Sequence, residues 1–190
     1  MLGFNEVDLS GREAVGAEIE ACRFASVNLS QVKLRRALVR DVAFDRCDLA
    51  NLRALDSSFT RVAVAACRMT GASMLDVDLR DVTFGGCRID LSSFRASRLA
   101  EVVFADCRME QADFADADLR GARFERCTLT GAQFSGARMS GTRFSGCELT
   151  GIGGVTSMRG AIISSADAVA LADILASALG IKIEDDSPAR

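Results

Sequence analysis

A chain of 190 residues, 49% of them hydrophobic, is long enough to bury the core of one domain. Its 23 basic and 26 acidic residues give a net charge of −3, which excludes the strongly basic surface typical of direct nucleic-acid binding. Histidine is absent, so the commonest general base and the commonest metal ligand are both missing.

The N-terminal segment, residues 1–11, has neither a basic flank nor a long apolar block, so it does not resemble a secretory signal. No apolar run approaches the about 20 residues that a membrane-spanning helix needs. We therefore expect a cytoplasmic protein that does not associate with membranes. In that compartment its 7 cysteines stay reduced.

From Phe4 to Leu149 every fifth residue is apolar, without an insertion or a phase slip. All 11 phenylalanines belong to this series, which we call the centre column. A period of five fits neither an α-helix, with about 3.6 residues per turn, nor a flat strand, with a period of about 2. The backbone must therefore turn a corner in every repeat.

A second column consists of the residues that lie two positions before each centre. These residues are small or β-branched almost throughout, and Arg12 is the only charged one. Two positions of each repeat are thus predicted to face inward and three outward. The residue after the turn is often glycine, as at Gly121 and Gly131, because glycine tolerates a positive φ at a tight corner.

Segments such as Ala112–Asp116, Ala117–Gly121 and Cys47–Asn51 carry the pattern A(D/N)LXX over about residues 2–151. The chain therefore resembles the pentapeptide-repeat family. The resemblance implies an all-β solenoid, a right-handed quadrilateral β-helix with four repeats, or about 20 residues, in each coil. About 7.5 coils, at about 4.8 Å per stacked strand, make a rod of about 36 Å.

The cysteines support the coil independently, because six of them recur at every twentieth position and would form one ladder along one face. Phenylalanines recur at every tenth position from Phe84 to Phe144, which places them on two opposite faces. Small centres at Ala14 and Ala54 predict looser packing there. The candidate core residues of these series are Phe44, Phe84, Phe94, Phe104, Phe114, Phe124, Cys47, Cys67, Cys87, Cys107, Cys127 and Cys147.

Three groups of side chains could suggest chemistry. A cysteine ladder could hold a metal or be redox-active, but parallel stacked thiols suit neither a disulfide nor a tetrahedral metal site, and we expect buried packing residues. The carboxylates Asp113, Asp116 and Asp118 lie on outward faces, where we expect a solvated surface. We expect the same of the densest basic group, although contact with a partner is the alternative. That group consists of Lys33, Arg35, Arg36 and Arg40.

Residues 152–190 form a separate C-terminal region. A helix is predicted over about residues 165–179, with Ser164 or Ser165 as its cap and Gly180 at its end. Residues 181–183 could add a short strand, and residues 184–190 read as a frayed tail. The apolar stripe of the helix consists of Leu171, Ile174, Leu175, Ala178 and Leu179.

This helix could simply cap the last coil, or it could also pair with a twofold mate. The tail is similar to the C-terminal segment of MfpA-like members of the family, which form end-to-end dimers. That resemblance favours a homodimer through the C-terminal helix.

The resemblance also implies a function. MfpA and Qnr members bind DNA gyrase or topoisomerase IV as DNA mimics and protect it from quinolones. Over the whole repeat region, however, acidic and basic residues are almost equal in number, and no face forms an acidic stripe. The alternative is a scaffold for an unknown protein partner. An enzyme is disfavoured, and no catalytic, cofactor-binding or metal-binding residue is predicted.

Overall fold

Parallel pairing at a constant offset of one coil runs through the chain, as between Leu2 and Cys22 and between Asp78 and Arg98. This register confirms the predicted coil. The computed structural model, which describes residues 2–183, is a right-handed β-solenoid of about 8 turns with a short helical segment at its C-terminus.

One sheet contains most of the strands, in the order β1-β4-β6-β8-β10-β11-β12-β13-β14, and β3 also pairs with β6. Its members are β1 (Leu2–Asn5), β3 (Glu18–Glu20), β4 (Cys22–Ala25), β6 (Leu38–Asp45), β8 (Ser58–Ala65), β10 (Asp78–Gly85), β11 (Arg98–Ala105), β12 (Arg123–Glu125), β13 (Arg143–Ser145) and β14 (Ile162–Ile163). Strands as long as β6 turn a corner and so contribute to two faces of the rod.

A second sheet has the order β2-β5-β7-β9 and lies on another face. Its strands are β2 (Glu13–Val15), β5 (Lys33–Arg35), β7 (Arg53–Leu55) and β9 (Ser73–Leu75). Isolated parallel bridges continue this face from Ser73 to Ser93, Asp113 and Gln133. Another series of bridges, from Asp8 to Glu148, forms the remaining face. The rod thus has four sides.

The corners of the coil lie at the positions that the sequence predicts, the residue after the turn in each repeat. The backbone has a positive φ at Gly121 (78°) and Gly131 (70°), and residues other than glycine adopt it at the equivalent positions, including Leu91 (58°) and Asp116 (61°). Left-handed backbone costs free energy for any residue with a Cβ. The stacked coils impose this conformation at each corner.

Phenylalanines fill the axis in the C-terminal half of the rod. Within a column the rings stack, as Phe94 does on Phe114 with centroids 5.1 Å apart, and rings of opposite columns meet edge-on. Both are favourable aromatic geometries. The predicted core is buried except at Phe44, which is partly buried and borders an axial cavity. That cavity lies in the half that contains Ala14 and Ala54.

The rod continues beyond residue 151, where the sequence predicts its end. Gly153 still bridges Gln133, and β14 pairs with β13 one position out of the usual register, with Ile162 opposite Arg143. A short 3-10 helix, η1 (Val155–Ser157), lies within this last, shortened coil. The terminal coil is therefore part of the solenoid and carries the helix that follows.

The helix α1 (Ser165–Ala178) begins as predicted, because the Ser164 side chain accepts a hydrogen bond from the Asp167 N–H at 3.2 Å. Gly180, with φ 73°, follows its C-terminus. The predicted strand at residues 181–183 is wrong, because the Ile181 N–H is already bonded to the helix carbonyl of Ala176 at 2.8 Å. The tail predicted at residues 184–190 lies outside the described residues.

Candidate functional site

Arginine–aspartate pairs link neighbouring coils across the outside of the rod. Arg61 contacts both carboxylate oxygens of Asp41 at 2.6 and 2.7 Å, and Arg126 contacts those of Asp106 at 2.7 and 2.9 Å. These hydrogen bonds from arginine lower the pKa of Asp41 and of Asp106. The two partners of each pair are one coil apart in the sequence, so the coil repeat itself brings the opposite charges together.

The acidic group predicted on the surface is also neutralised locally. Arg95 reaches Asp113 at 3.2 Å and Asp116 at 3.7 Å, and Arg120 bonds Asp118 at 2.6 Å. The hydrogen bond from Arg120 lowers the pKa of Asp118. These carboxylates thus lie on outward faces, as the sequence predicts, and each has an arginine partner.

The basic group lies on the second coil. Lys33 pairs with Glu13 of the first coil at 3.5 Å, while Arg35 and Arg36 are exposed at the adjoining corner. Arg40 lies on the next face, where it stands opposite Glu20 in the ladder. The structure therefore spreads the basic group over two faces instead of gathering it into one patch.

A buried carboxylate that the sequence analysis missed lies at Asp90. It accepts hydrogen bonds from Arg88 Nε at 2.9 Å and from the Glu110 N–H at 3.1 Å, and Arg108 Nε lies 3.3 Å away. The only sequence signal is a short pattern, an arginine followed two residues later by an acidic residue. It begins at Arg88 and recurs one coil later at Arg108. Arg88 belongs to the same coil as Asp90, whereas Arg108 and Glu110 belong to the next coil. The cluster therefore joins two coils.

The cysteine ladder is buried as predicted, and its thiols bond to the backbone. The Sγ of Cys107 donates to the Phe84 carbonyl at 3.4 Å, and that of Cys127 donates to the Phe104 carbonyl at 3.4 Å. A hydrogen bond to a neighbouring thiol, together with burial, raises the pKa of Cys67. Over residues 2–183 no cluster of three His, Cys, Asp or Glu side chains is arranged to hold a metal ion.

Asp167 occupies the next rung of this ladder, one coil after Cys147. Its carboxylate accepts the Cys147 N–H at 3.1 Å, as the Sγ of Cys67 accepts the Cys47 N–H at 3.2 Å. The sequence signal for this position is the coil spacing, because Asp167 lies 20 residues after Cys147. Asp167 therefore joins the start of α1 to the last coil.

The apolar stripe of α1 is divided between two environments. Leu171 is fully buried against the rod and Ile174 packs beside it, so these two side chains cap the last coil. Leu175, Ala178 and Leu179 are exposed. They border an apolar hollow of about 430 Å³ between the helix and the last coil. Within the described chain no helix is long and apolar enough to cross a bilayer.

Together, the repeating coil, the four ladders and the inward columns define a pentapeptide-repeat solenoid. The sequence profile described as "Pentapeptide repeat region" matches residues 57–134 and 77–153, and the chain belongs to the pentapeptide-repeat family. Among curated protein sequences none matches this chain.

Several solved structures are similar to this chain. HetL from the cyanobacterium Nostoc sp. strain PCC 7120, a protein involved in regulating heterocyst differentiation, has 15% identity and a TM-score of 0.57 over 85% of this chain and 86% of HetL. QnrB1, a plasmid-mediated fluoroquinolone resistance protein, has 14% identity and a TM-score of 0.42 over 97% and 99%. Rfr23 from the cyanobacterium Cyanothece 51142 has 14% and 0.41 over 80% and 92%. At 15% identity the likeness to HetL is one of fold.

Proposed function

We propose that this protein acts in the cytoplasm by binding other proteins, and not as an enzyme. The observation that carries the proposal is the concentration of exposed apolar side chains at the C-terminal end, where Val169 is 77% and Leu179 75% exposed. The faces of the rod instead carry many ion pairs, with fewer exposed apolar side chains between them. Large apolar side chains left in contact with water mark an interaction surface.

The first partner of this surface is a second copy of the chain. The helix α1 carries only two charged residues, the buried Asp167 and the exposed Asp173, so pairing two helices leaves few charges to desolvate. A twofold contact places the same patch on both subunits. Leu175, Ala178 and Leu179 would then cover the hollow described above, giving an end-to-end homodimer.

Light scattering on the purified protein tests the dimer. We expect the wild type to have twice the mass of the chain and Leu179→Glu to be monomeric. Leu91→Glu is the matched control, because Leu91 is 60% exposed but lies on the side of the rod, far from α1 in the coil order. A monomeric wild type, or equal effects of the two variants, would contradict the proposal.

A DNA mimic that binds gyrase or topoisomerase IV is the second candidate, and the family resemblance implies quinolone resistance as its outcome. One feature favours it. The coil from Glu101 to Arg120 carries six acidic residues and two basic ones, so a band of negative charge surrounds the rod. Against it, arginines pair with most of these carboxylates. A scaffold for another protein partner fits this neutralised surface better.

A gyrase supercoiling assay, with and without a fluoroquinolone, distinguishes the DNA mimic from the scaffold. A gyrase-binding protein inhibits supercoiling or protects the enzyme at micromolar concentration. Replacing Glu101 and Asp116 together by lysine should then abolish the effect, because the net negative charge of the band is neutralised. No effect of the wild type would remove the topoisomerase candidate and leave the scaffold.

A further inference from the structure

An apolar channel runs along the axis of the N-terminal half of the rod. It is a cavity of about 200 Å³ that begins beside Leu9 and Ile19 in the first coil and ends at Phe84 in the fifth. Four coil steps at about 4.8 Å give it a span of about 19 Å. Every residue that lines it is apolar except Arg12.

The channel exists because this half of the rod lacks opposed phenylalanines. The column that holds Phe94, Phe114 and Phe134 in the C-terminal half holds Ala14, Leu34, Ala54 and Met74 in the N-terminal half. The opposite column, phenylalanine in all its other rungs from Phe4 to Phe144, has one gap, at Val64. Phe84 and Phe94 meet edge-on, with centroids 6.3 Å apart, and so form the floor.

Leucines at centre positions of the two halves differ in exposure, in agreement with the channel. In the N-terminal half Leu29 is 9% and Leu34 8% exposed, whereas Leu119 and Leu129 in the C-terminal half are 0% exposed. All four side chains face the axis, so the difference comes from the inside of the rod. The interior of the first coils is therefore more open than that of the later coils.

The mouth of the channel lies at the first coil, where Phe4, Leu9 and Ile19 are only partly buried. Arg12 is exposed there, the one charged residue of an otherwise inward-facing column. Among residues 2–183 no carboxylate lies within ion-pair distance of its guanidinium. The nearby Asp8 is bonded to the Ser10 N–H at 2.9 Å, which is the main reason that the pKa of Asp8 is lowered.

We propose that the channel binds a single alkyl chain with a carboxylate head group, with the chain along the axis and the carboxylate against Arg12. Even a smaller apolar cavity, of roughly 150 Å³, stays dry and takes up apolar guests. The elongated form suits one extended chain better than a compact ring. An exposed arginine where the channel opens in the first described coil suits a monoanion, because guanidinium binds carboxylate with two parallel hydrogen bonds.

Titration calorimetry with decanoate, at concentrations where it remains monomeric, tests the site on the full chain. We expect saturable binding with one decanoate per chain. Val64→Phe restores the missing ring in the column and fills the middle of the channel, so we expect binding to weaken at least about tenfold, since the chain loses its apolar contacts. Val103→Phe is the matched control, because Val103 occupies an outward position, and it should bind as the wild type does.

Arg12→Gln tests the head group separately. Exposed ion pairs contribute modestly, so we expect the affinity for decanoate to fall about two- to fivefold. Binding of decanol, which lacks the charge, should be unchanged. Circular dichroism checks that each variant keeps its strands. Absence of decanoate binding to the wild type, or equal binding by the wild type and a folded Val64→Phe, would overturn the proposal.

Discussion

The Phe94 ring meets the Phe104 ring edge-on, with centroids 5.8 Å apart and planes at 79°. Phe104 also stacks on Phe84 and Phe124 in its own column and meets Phe114 edge-on. One side chain thus contacts rings in three successive coils. Such contacts make the C-terminal half of the rod the more tightly packed half.

This relationship predicts that one substitution has unequal effects in the two halves. Phe104→Ala removes a fully buried ring from four aromatic contacts, and we expect the free energy of unfolding to fall by about 3–5 kcal/mol. Phe24→Ala should cost less, because Phe24 stacks on two rings and already borders the axial channel. Urea unfolding followed by circular dichroism measures both, and equal losses would contradict the prediction.

Most of the fold could be predicted from the sequence because one period controls it. Each repeat stacks on the equivalent repeat of the next coil, so the spacing of Cys47 and Cys67 gives the length of the coil. The apolar columns then show which residues face inward. The period fails where the spacing changes. The last coil is one residue shorter than the others, so Ile162 pairs out of the usual register. For this reason the five-residue period does not predict where the rod ends.

Much of the candidate site could not be predicted, because it depends on side-chain geometry between coils. The stripe on α1 was visible, but its division into buried Leu171 and exposed Leu179 depends on how the helix lies on the last coil. Likewise the undersized Ala54 predicts loose packing locally. A continuous channel appears only when several such centres, including Val64, are stacked.

Two adjacent glycines allow the cost of a corner to be measured. Gly86 has φ 60°, whereas Gly85 in β10 lies outside the left-handed region, and a Cβ at either would meet open space. Gly86→Ala should therefore lower the free energy of unfolding by about 1 kcal/mol through backbone strain alone. Gly85→Ala should raise it by about 0.4–1 kcal/mol, since the unfolded chain loses freedom. Thermal unfolding of both variants measures this contrast. A loss of stability from both would rule out the backbone explanation.

The cysteine ladder predicts slow thiol chemistry in the folded protein. All 7 cysteines are buried, and the Sγ atoms of Cys107 and Cys147 donate hydrogen bonds to the carbonyls of Phe84 and Phe124. Because a reagent must reach the sulfur before it can react, we expect an aromatic disulfide reagent at pH 8 to label no cysteine rapidly in the native state. In urea all of them should react. Rapid labelling of several native thiols would show that the ladder opens.

Serine should replace a ladder cysteine at little cost. Ser97 already occupies an inward position of this kind, where its Oγ donates to the Met74 carbonyl at 2.8 Å and accepts the Val77 N–H at 3.1 Å. In Cys107→Ser the hydroxyl finds the same kinds of partner, so we expect a loss of less than about 1 kcal/mol. Cys107→Val, of similar size but without a donor, should lose more, because the Phe84 carbonyl loses a hydrogen bond. Urea unfolding of the two variants measures the difference, and a reversed order would show that packing outweighs hydrogen bonding here.

The ion pairs between coils predict a loss of stability in acid. The pKa values of Asp41 and Asp106 are lowered in the folded state by hydrogen bonds from Arg61 and Arg126, so the folded protein binds fewer protons than the unfolded chain. Their stabilisation is thus complete above the unfolded pKa of about 4 and is lost as the pH falls through the lowered values. Asp106→Asn should reduce the difference between urea midpoints at pH 7 and pH 3. Glu101→Gln is the control, because within residues 2–183 Glu101 forms no ion pair, and it should change that difference less. An unchanged difference in Asp106→Asn would mean that acid acts elsewhere in the rod.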